Sequence, residues 1–180
     1  MAITLEAVDV SSNRTVWRVQ VHAAASDRLA MQEQITSRVQ QGLVPALGAA
    51  LIISDAGTRP KDPAAYDLYL HSLALPLDPG PNKDAIAVLE HVVQIDPPYA
   101  PAWEALGLRY YIDSECGDGG EAMFKRSNSA YQCALEFDTN LPFAASQLIT
   151  NRTERGEVTD SYAQAAALVK RRLAVCSPAQ

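Results

Sequence analysis

Apolar and polar residues alternate at the start of the chain, Ile3, Leu5 and Ala7 in a first run and Trp17, Val19 and Val21 against Arg18, Gln20 and His22 in a second. That is the period of strands with one buried face. Ser11-Ser12-Asn13-Arg14 between the runs reads as a turn, and Asn13 suits a left-handed backbone position there. A β-hairpin is therefore expected from Ile3 to Ala23. The period then lengthens. After Ser26 and Asp27, whose side-chain oxygens suit a helix N-cap, Met31, Ile35, Val39 and Leu43 recur every four residues until Pro45. A helix is expected there, covering the apolar face that two strands alone do not bury.

From Gly48 to Asp62 the pattern loosens around Gly48, Gly57 and Pro60, with an apolar Leu51-Ile52-Ile53 inside it, and this stretch is expected to be a linker packed on its neighbours. Helical periodicity then resumes in pairs: Pro63 to Leu75 with Asp84 to Ile95, Ala100 to Ile112 with Glu121 to Phe137, and Leu141 to Arg155 with Asp160 to Val175. Pro76, Pro79, Pro81, Pro97, Gly117 and Gly156 read as breakers between the helices. The expected organisation is thus a β-β-α unit over 1–47, a linker over 48–62 and helical repeats over 63–180.

The junction Ile95-Asp96-Pro97-Pro98-Tyr99-Ala100-Pro101-Ala102-Trp103 closes one helical pair and opens the next. Trp103, Leu106, Gly107 and Tyr110 match the W-x2-L-G-x2-Y element of tetratricopeptide repeats, where the glycine lets two helices approach and the large residues fill the space between them. The second helices carry small and large residues in step: Ala85, Leu89 and Val92 before Asp96, then Ser127, Tyr131 and Ala134 before Asp138. The chain therefore resembles a tetratricopeptide array. Thr139 stands where that pattern has proline, Tyr110 and Ser127 are further apart than the repeat leaves them, and the third pair, from Phe143, keeps helical patterning with little of the signature, as a terminal cap does.

A second resemblance lies upstream. Val8-Asp9-Val10-Ser11-Ser12-Asn13-Arg14-Thr15-Val16-Trp17 and Arg28-Leu29-Ala30-Met31-Gln32-Glu33-Gln34-Ile35 resemble the C-terminal portion of a TolB-like α/β domain. Asp62-Pro63-Ala64-Ala65-Tyr66-Asp67-Leu68-Tyr69-Leu70 is similar to the junction that opens the repeats in bacterial signalling proteins of that kind, with Asn13 and Ser72 where that family commonly has glycines. The resemblance implies a cyclase, kinase or winged-helix effector elsewhere, a fold that is mainly α (a solenoid of about three helical pairs after a hairpin and helix), and placement in the cytoplasm or outside it, the former being the expectation.

Composition narrows the function. Fifteen Lys and Arg against 21 Asp and Glu give a net charge of -6, without the basic surplus that phosphate-backbone binding draws on, so no nucleic-acid partner is expected. No run approaches the ~18 apolar residues of a membrane span, and no basic segment followed by an apolar run opens the chain. Cys116, Cys133 and Cys176 have no metal-ligand spacing and are expected to be small buried hydrophobes.

The chemistry-bearing residues are sparse. The acidic segment Asp113 to Glu121 places four carboxylates in nine residues, yet Gly117 and Asp118 break the calcium-loop pattern, which wants an oxygen ligand and a glycine there, so a flexible acidic loop is expected. His22, His71 and His91 are scattered, and Asn13-Arg14-Thr15 and Asn151-Arg152-Thr153 are short patterns with no role assigned. No nucleophile elbow, phosphate loop or paired-carboxylate pattern is present, so no enzyme, no cofactor and no metal is expected. The expected function is protein-protein interaction. In the register of Trp103, the first helices present Glu104, Leu108 and Tyr111 on a concave face, joined by Tyr69 and Leu73. That face lacks the basic clamp of chaperone-tail receptors and suits an apolar peptide or amphipathic helix, with the linker or an extra helix as its alternative occupant. The exposed hairpin edge offers self-association as a homodimer instead.

Overall fold

The computed structural model describes residues 2–24, 26–47 and 59–176, with the side chains of 168, 169 and 171–176 outside that description. The chain divides into two units, Met1–Ile53 and Ser54–Gln180. The apolar run Leu51-Ile52-Ile53 of the expected linker lies outside the described residues.

In the first unit β1 (Ala2–Asp9) pairs antiparallel with β2 (Arg14–His22). Ile3 faces Val21, Leu5 faces Val19 and Ala7 faces Trp17, with an irregularity between Ala7 and Val8. The turn is held by one carboxylate: Asp9 accepts hydrogen bonds from the Ser11 amide at 2.9 Å and from the Ser11 and Ser12 hydroxyls at 2.7 and 2.6 Å. Asn13 takes φ 52°, the left-handed conformation its side chain tolerates.

α1 (Arg28–Arg38), capped by Asp27 through the Ala30 amide, packs on β2 and buries Met31 against the side where Val21 is 2% exposed. The helix does not stop at Pro45. A π-turn over Val39–Leu43, in which the Val44 amide bonds the Val39 carbonyl, inserts one residue into the period, and α2 (Val44–Ala46) continues through the proline. The inserted residue moves the apolar stripe, so Val44 is buried where Leu43 was expected to be. Gly42 lies in this turn, where a Cβ would stand 2.3 Å from Trp17 Nε1: the indole occupies the side-chain space the glycine leaves.

The second unit is helical throughout its described length: α3 (Pro63–Ala74), α4 (Pro79–Ile95), α5 (Ala100–Cys116), α6 (Gly120–Phe137), α7 (Pro142–Glu154) and α8 (Val158–Cys176). Each helix packs on the next, and α5 also meets α7. Several prolines expected to break helices begin them instead: Pro79 sits in the first turn of α4, where the missing N–H has no acceptor to lose, and Pro81 follows inside the same helix. α3, α5 and α7 likewise start with proline at their first or second position. Asp62 caps α3 by accepting from the Ala64 and Ala65 amides, while buried Asp96 at the end of α4 accepts from the Lys61 and Asp62 amides.

α3, α5 and α7 share a pattern of burial. Ala65, Ala102 and Ala144, each the third residue of its helix, are fully buried. Two turns on stand Ser72, Arg109 and Asn151, all buried and polar. Within α5, Leu106 and Tyr110 are 1% and 4% exposed, and burial of side chains of this size contributes ~1.5–3 kcal/mol apiece. Tyr131, Ala134, Ala144 and Leu148 form a core cluster on which Trp103 packs, its indole N–H donating to the Pro97 carbonyl at 2.8 Å. Tyr110 donates to Glu90 at 2.6 Å while Arg126 pairs with Glu90 and lies over the Tyr110 ring, tying α4, α5 and α6 together.

Three expectations about the α5–α6 region change. α5 runs a full turn past Ile112, so Asp113 to Cys116 are helical and only Gly117 to Gly119 connect the helices. Asp113 is buried, with Gly117 and Gly119 closed around its carboxylate, and of the four carboxylates expected in a loop Asp118 alone lies in the connection. Cys116, carried out on that extra turn, is exposed, and Cys133 is half-buried, so neither is the fully buried hydrophobe expected.

A candidate partner-binding groove

α5 and α7 run in the same direction, because Glu104 near the start of α5 reaches the Ala144 amide and Tyr111 near its end approaches Glu154. Alongside α5 lies α3, the first helix of the preceding pair. Between them opens a groove of about 350 Å³, walled by Tyr69 and Leu73 of α3, Glu104 and Leu108 of α5, Leu77 of the α3–α4 connection and Phe143 of α7. The structure thus brings together Tyr69, Leu73, Glu104 and Leu108 of the expected face. Leu77 and Phe143 were not among the expected residues.

Tyr111 is elsewhere. Tyr111 packs on Phe124 of α6, with ring centroids 6.4 Å apart, and its hydroxyl lies 3.4 Å from Glu154 of α7. Sharing a helical stripe with Glu104 and Leu108 did not place it among the residues that line this groove.

Of a cluster of three tyrosines, Tyr69 alone lines the groove. Tyr69 and Tyr99 meet edge to face at 5.1 Å, and Tyr66 stacks on Tyr69 at 6.3 Å. Burial, with Glu104 and Tyr66 adding negative charge nearby, pushes the Tyr69 hydroxyl up to about 12, so it stays a neutral donor at physiological pH. Glu104 is half-buried. Burial raises its carboxyl above the usual range and Asp138 adds to the rise, opposed by the hydrogen bond that its Oε2 accepts from the Ala144 amide at 2.9 Å. That bond also caps α7 from outside, placing a carboxylate at the positive end of the helix.

Arg109 borders the groove from beneath and has no carboxylate partner in it. Its Nη1 donates to the Pro76 carbonyl at 2.7 Å, and its Nη2 to those of Ser72 at 2.9 Å and Leu75 at 2.7 Å. These carbonyls lie in the last turn of α3 and just past it, where a helix runs short of internal donors; Ser72 also accepts from the Leu75 amide at 3.3 Å. Asn82 returns a bond to the Arg109 carbonyl at 3.0 Å. The guanidinium therefore fixes the α3–α4 connection, and with it Leu75 and Leu77, as one wall of the groove.

The groove's rim is apolar and open, with Leu73 49%, Leu77 51% and Phe143 40% exposed. A smaller cavity of about 210 Å³ among α6, α7 and α8 is lined chiefly by Leu135, Leu148 and Ile149, with no ionisable side chain among the described residues that line it. Among the described residues no group of three or more His, Cys, Asp or Glu side chains is arranged to hold a metal ion, and no helix is long and apolar enough to cross a membrane. No family model matches the chain, and no curated protein or solved structure matches it either.

Proposed function

We propose that this chain is a non-catalytic protein-protein interaction module: a tetratricopeptide-like array of helical pairs that binds a protein segment in the groove between α3 and α5. In this reading the first unit is the end of a TolB-like domain and the whole serves as the regulatory part of a bacterial signalling or transcription-control protein, in the cytoplasm. The observation that carries the reading is the groove itself. Leu73, Leu77 and Phe143 stay exposed around a half-buried carboxylate and a tyrosine cluster, and contiguous apolar surface of that kind is usually a contact surface. The close approach of Gly107 to Tyr131, at the glycine of the W-x2-L-G-x2-Y element, supports the repeat assignment.

The test is an NMR titration with amphipathic peptides. Shifts confined to Tyr69, Leu73, Leu108 and Phe143, and lost in Leu108→Asp, are the expected result; shifts elsewhere, or none, overturn it.

A second reading, self-association through the hairpin, is favoured by Val8, Val10 and Val16, which are 45%, 94% and 44% exposed on and beside a two-stranded sheet. Light scattering across a concentration range decides it: a dimer that Val16→Asp dissociates supports this reading, and a monomer at every concentration removes it.

A further inference from the structure

We propose that the groove selects segments bearing a lysine or arginine among apolar residues, with Glu104 Oε1 as the acceptor of that cation. The inference rests on the reading of the groove as partner-binding and adds which partners it takes.

Glu104 uses one oxygen and leaves the other. Oε2 accepts the Ala144 amide proton at 2.9 Å; among the described residues no donor is bonded to Oε1 and no cation forms an ion pair with the carboxylate. The cation that borders the groove, Arg109, has its Nη donors directed at the Ser72, Leu75 and Pro76 carbonyls and cannot serve. Glu104 lines the groove together with Tyr69, Leu108 and Phe143.

A carboxylate in such surroundings is sensitive to what covers it. An uncharged apolar segment laid over the groove would strip water from Oε1 and return nothing, leaving a buried unpaired charge, which is among the costlier outcomes of association. A lysine or arginine replaces that water with a charge-assisted hydrogen bond while its methylenes lie along Leu73, Leu108 and Phe143. An acidic segment would add a like charge. Selection therefore comes as much from what Glu104 rejects as from what it binds. The net charge of -6 draws basic segments in the same direction.

An array of apolar peptides, each made with lysine and with norleucine at its centre, tests this by fluorescence anisotropy. Norleucine keeps the methylenes and drops the charge. The expected result is that lysine members bind about tenfold more tightly than their norleucine twins, and that Glu104→Gln cuts this preference to about twofold or less while the norleucine members bind the variant at least as well. Glutamine retains an oxygen for the Ala144 amide, and an unchanged Ala144 amide resonance verifies that the α7 cap is intact. Equal binding by both members, or a preference that survives Glu104→Gln, overturns the cation inference and leaves the groove reading standing. Binding by no member of the array overturns both.

Discussion

A methyl group on Gly107 would stand 2.7 Å from the ring of Tyr131. The two helices carrying them, α5 and α6, meet at that point with the tyrosine fully buried, so the ring has nowhere to retreat. Gly107→Ala sets two effects against each other: better helix propensity, worth up to about 1 kcal/mol, and an overpacked contact costing ~1–3 kcal/mol. At 2.7 Å the contact wins, and urea unfolding is expected to show a net loss of about 1–2 kcal/mol. Gly80→Ala is the control. A methyl there meets nothing within 4 Å, and the same measurement is expected to give no loss or a small gain.

Arg109 is 5% exposed, and its guanidinium gathers the loose carbonyls at the end of α3. Arg109→Met keeps most of the side chain's length and strands those acceptors. A buried acceptor without its donor costs ~1–3 kcal/mol, so a loss of about 3 kcal/mol or more is expected in denaturant unfolding. Arg109→Lys is expected to recover only part of this, because one ammonium cannot reproduce a planar fork that reaches the carbonyls of Ser72, Leu75 and Pro76. Because the wall containing Leu77 moves with them, both variants are also expected to weaken peptide binding in the groove.

The hairpin turn titrates. Hydrogen bonds from the side chains of Ser12 and Ser11 and from the Ser11 amide hold the Asp9 carboxyl down to about 2 from an ordinary 3.8. The folded turn therefore prefers the charged form. Its contribution is fully present above the midpoint of the unfolded carboxyl and is lost as pH falls through about 2. An NMR titration is expected to give a midpoint near 2 for Asp9, with the Ser11 and Ser12 amides shifting in parallel. Asp9→Asn is expected to abolish that step; a midpoint in the ordinary carboxylate range would contradict the bonded turn.

Much of the groove was legible in the sequence because its walls are helical faces. Tyr69 with Leu73, and Glu104 with Leu108, are spaced one helical turn apart, and periodicity alone places each pair on one stripe. Tyr111 belongs to the same stripe as Glu104 by that rule, and the structure turns it to Phe124 of α6 and Glu154 of α7 instead. Leu77 and Phe143 could not be found this way. One lies in a connection and the other at the start of α7, and nothing local to either says which helix it will face. Arg109 carried no signal either, since a single arginine in a helical pattern ordinarily reads as a solvent-facing residue.

The sequence by itself determined the local elements: a hairpin, because apolar residues alternate about a turn that Asn13 permits, and then helices, because the period changes and stays changed. It also determined the close contact at Gly107, since only glycine leaves room there for Tyr131. Tertiary structure alone decided three things. The π-turn at Val39–Leu43 puts Val44 in the core in place of Leu43, because one inserted residue rotates the stripe that a regular period would bury. The prolines at 79 and 81 became part of a helix start, because a proline's missing N–H breaks only a helix already under way. The groove took its length and charge from which helices lie side by side, a relation between residues far apart in the chain that no local period encodes.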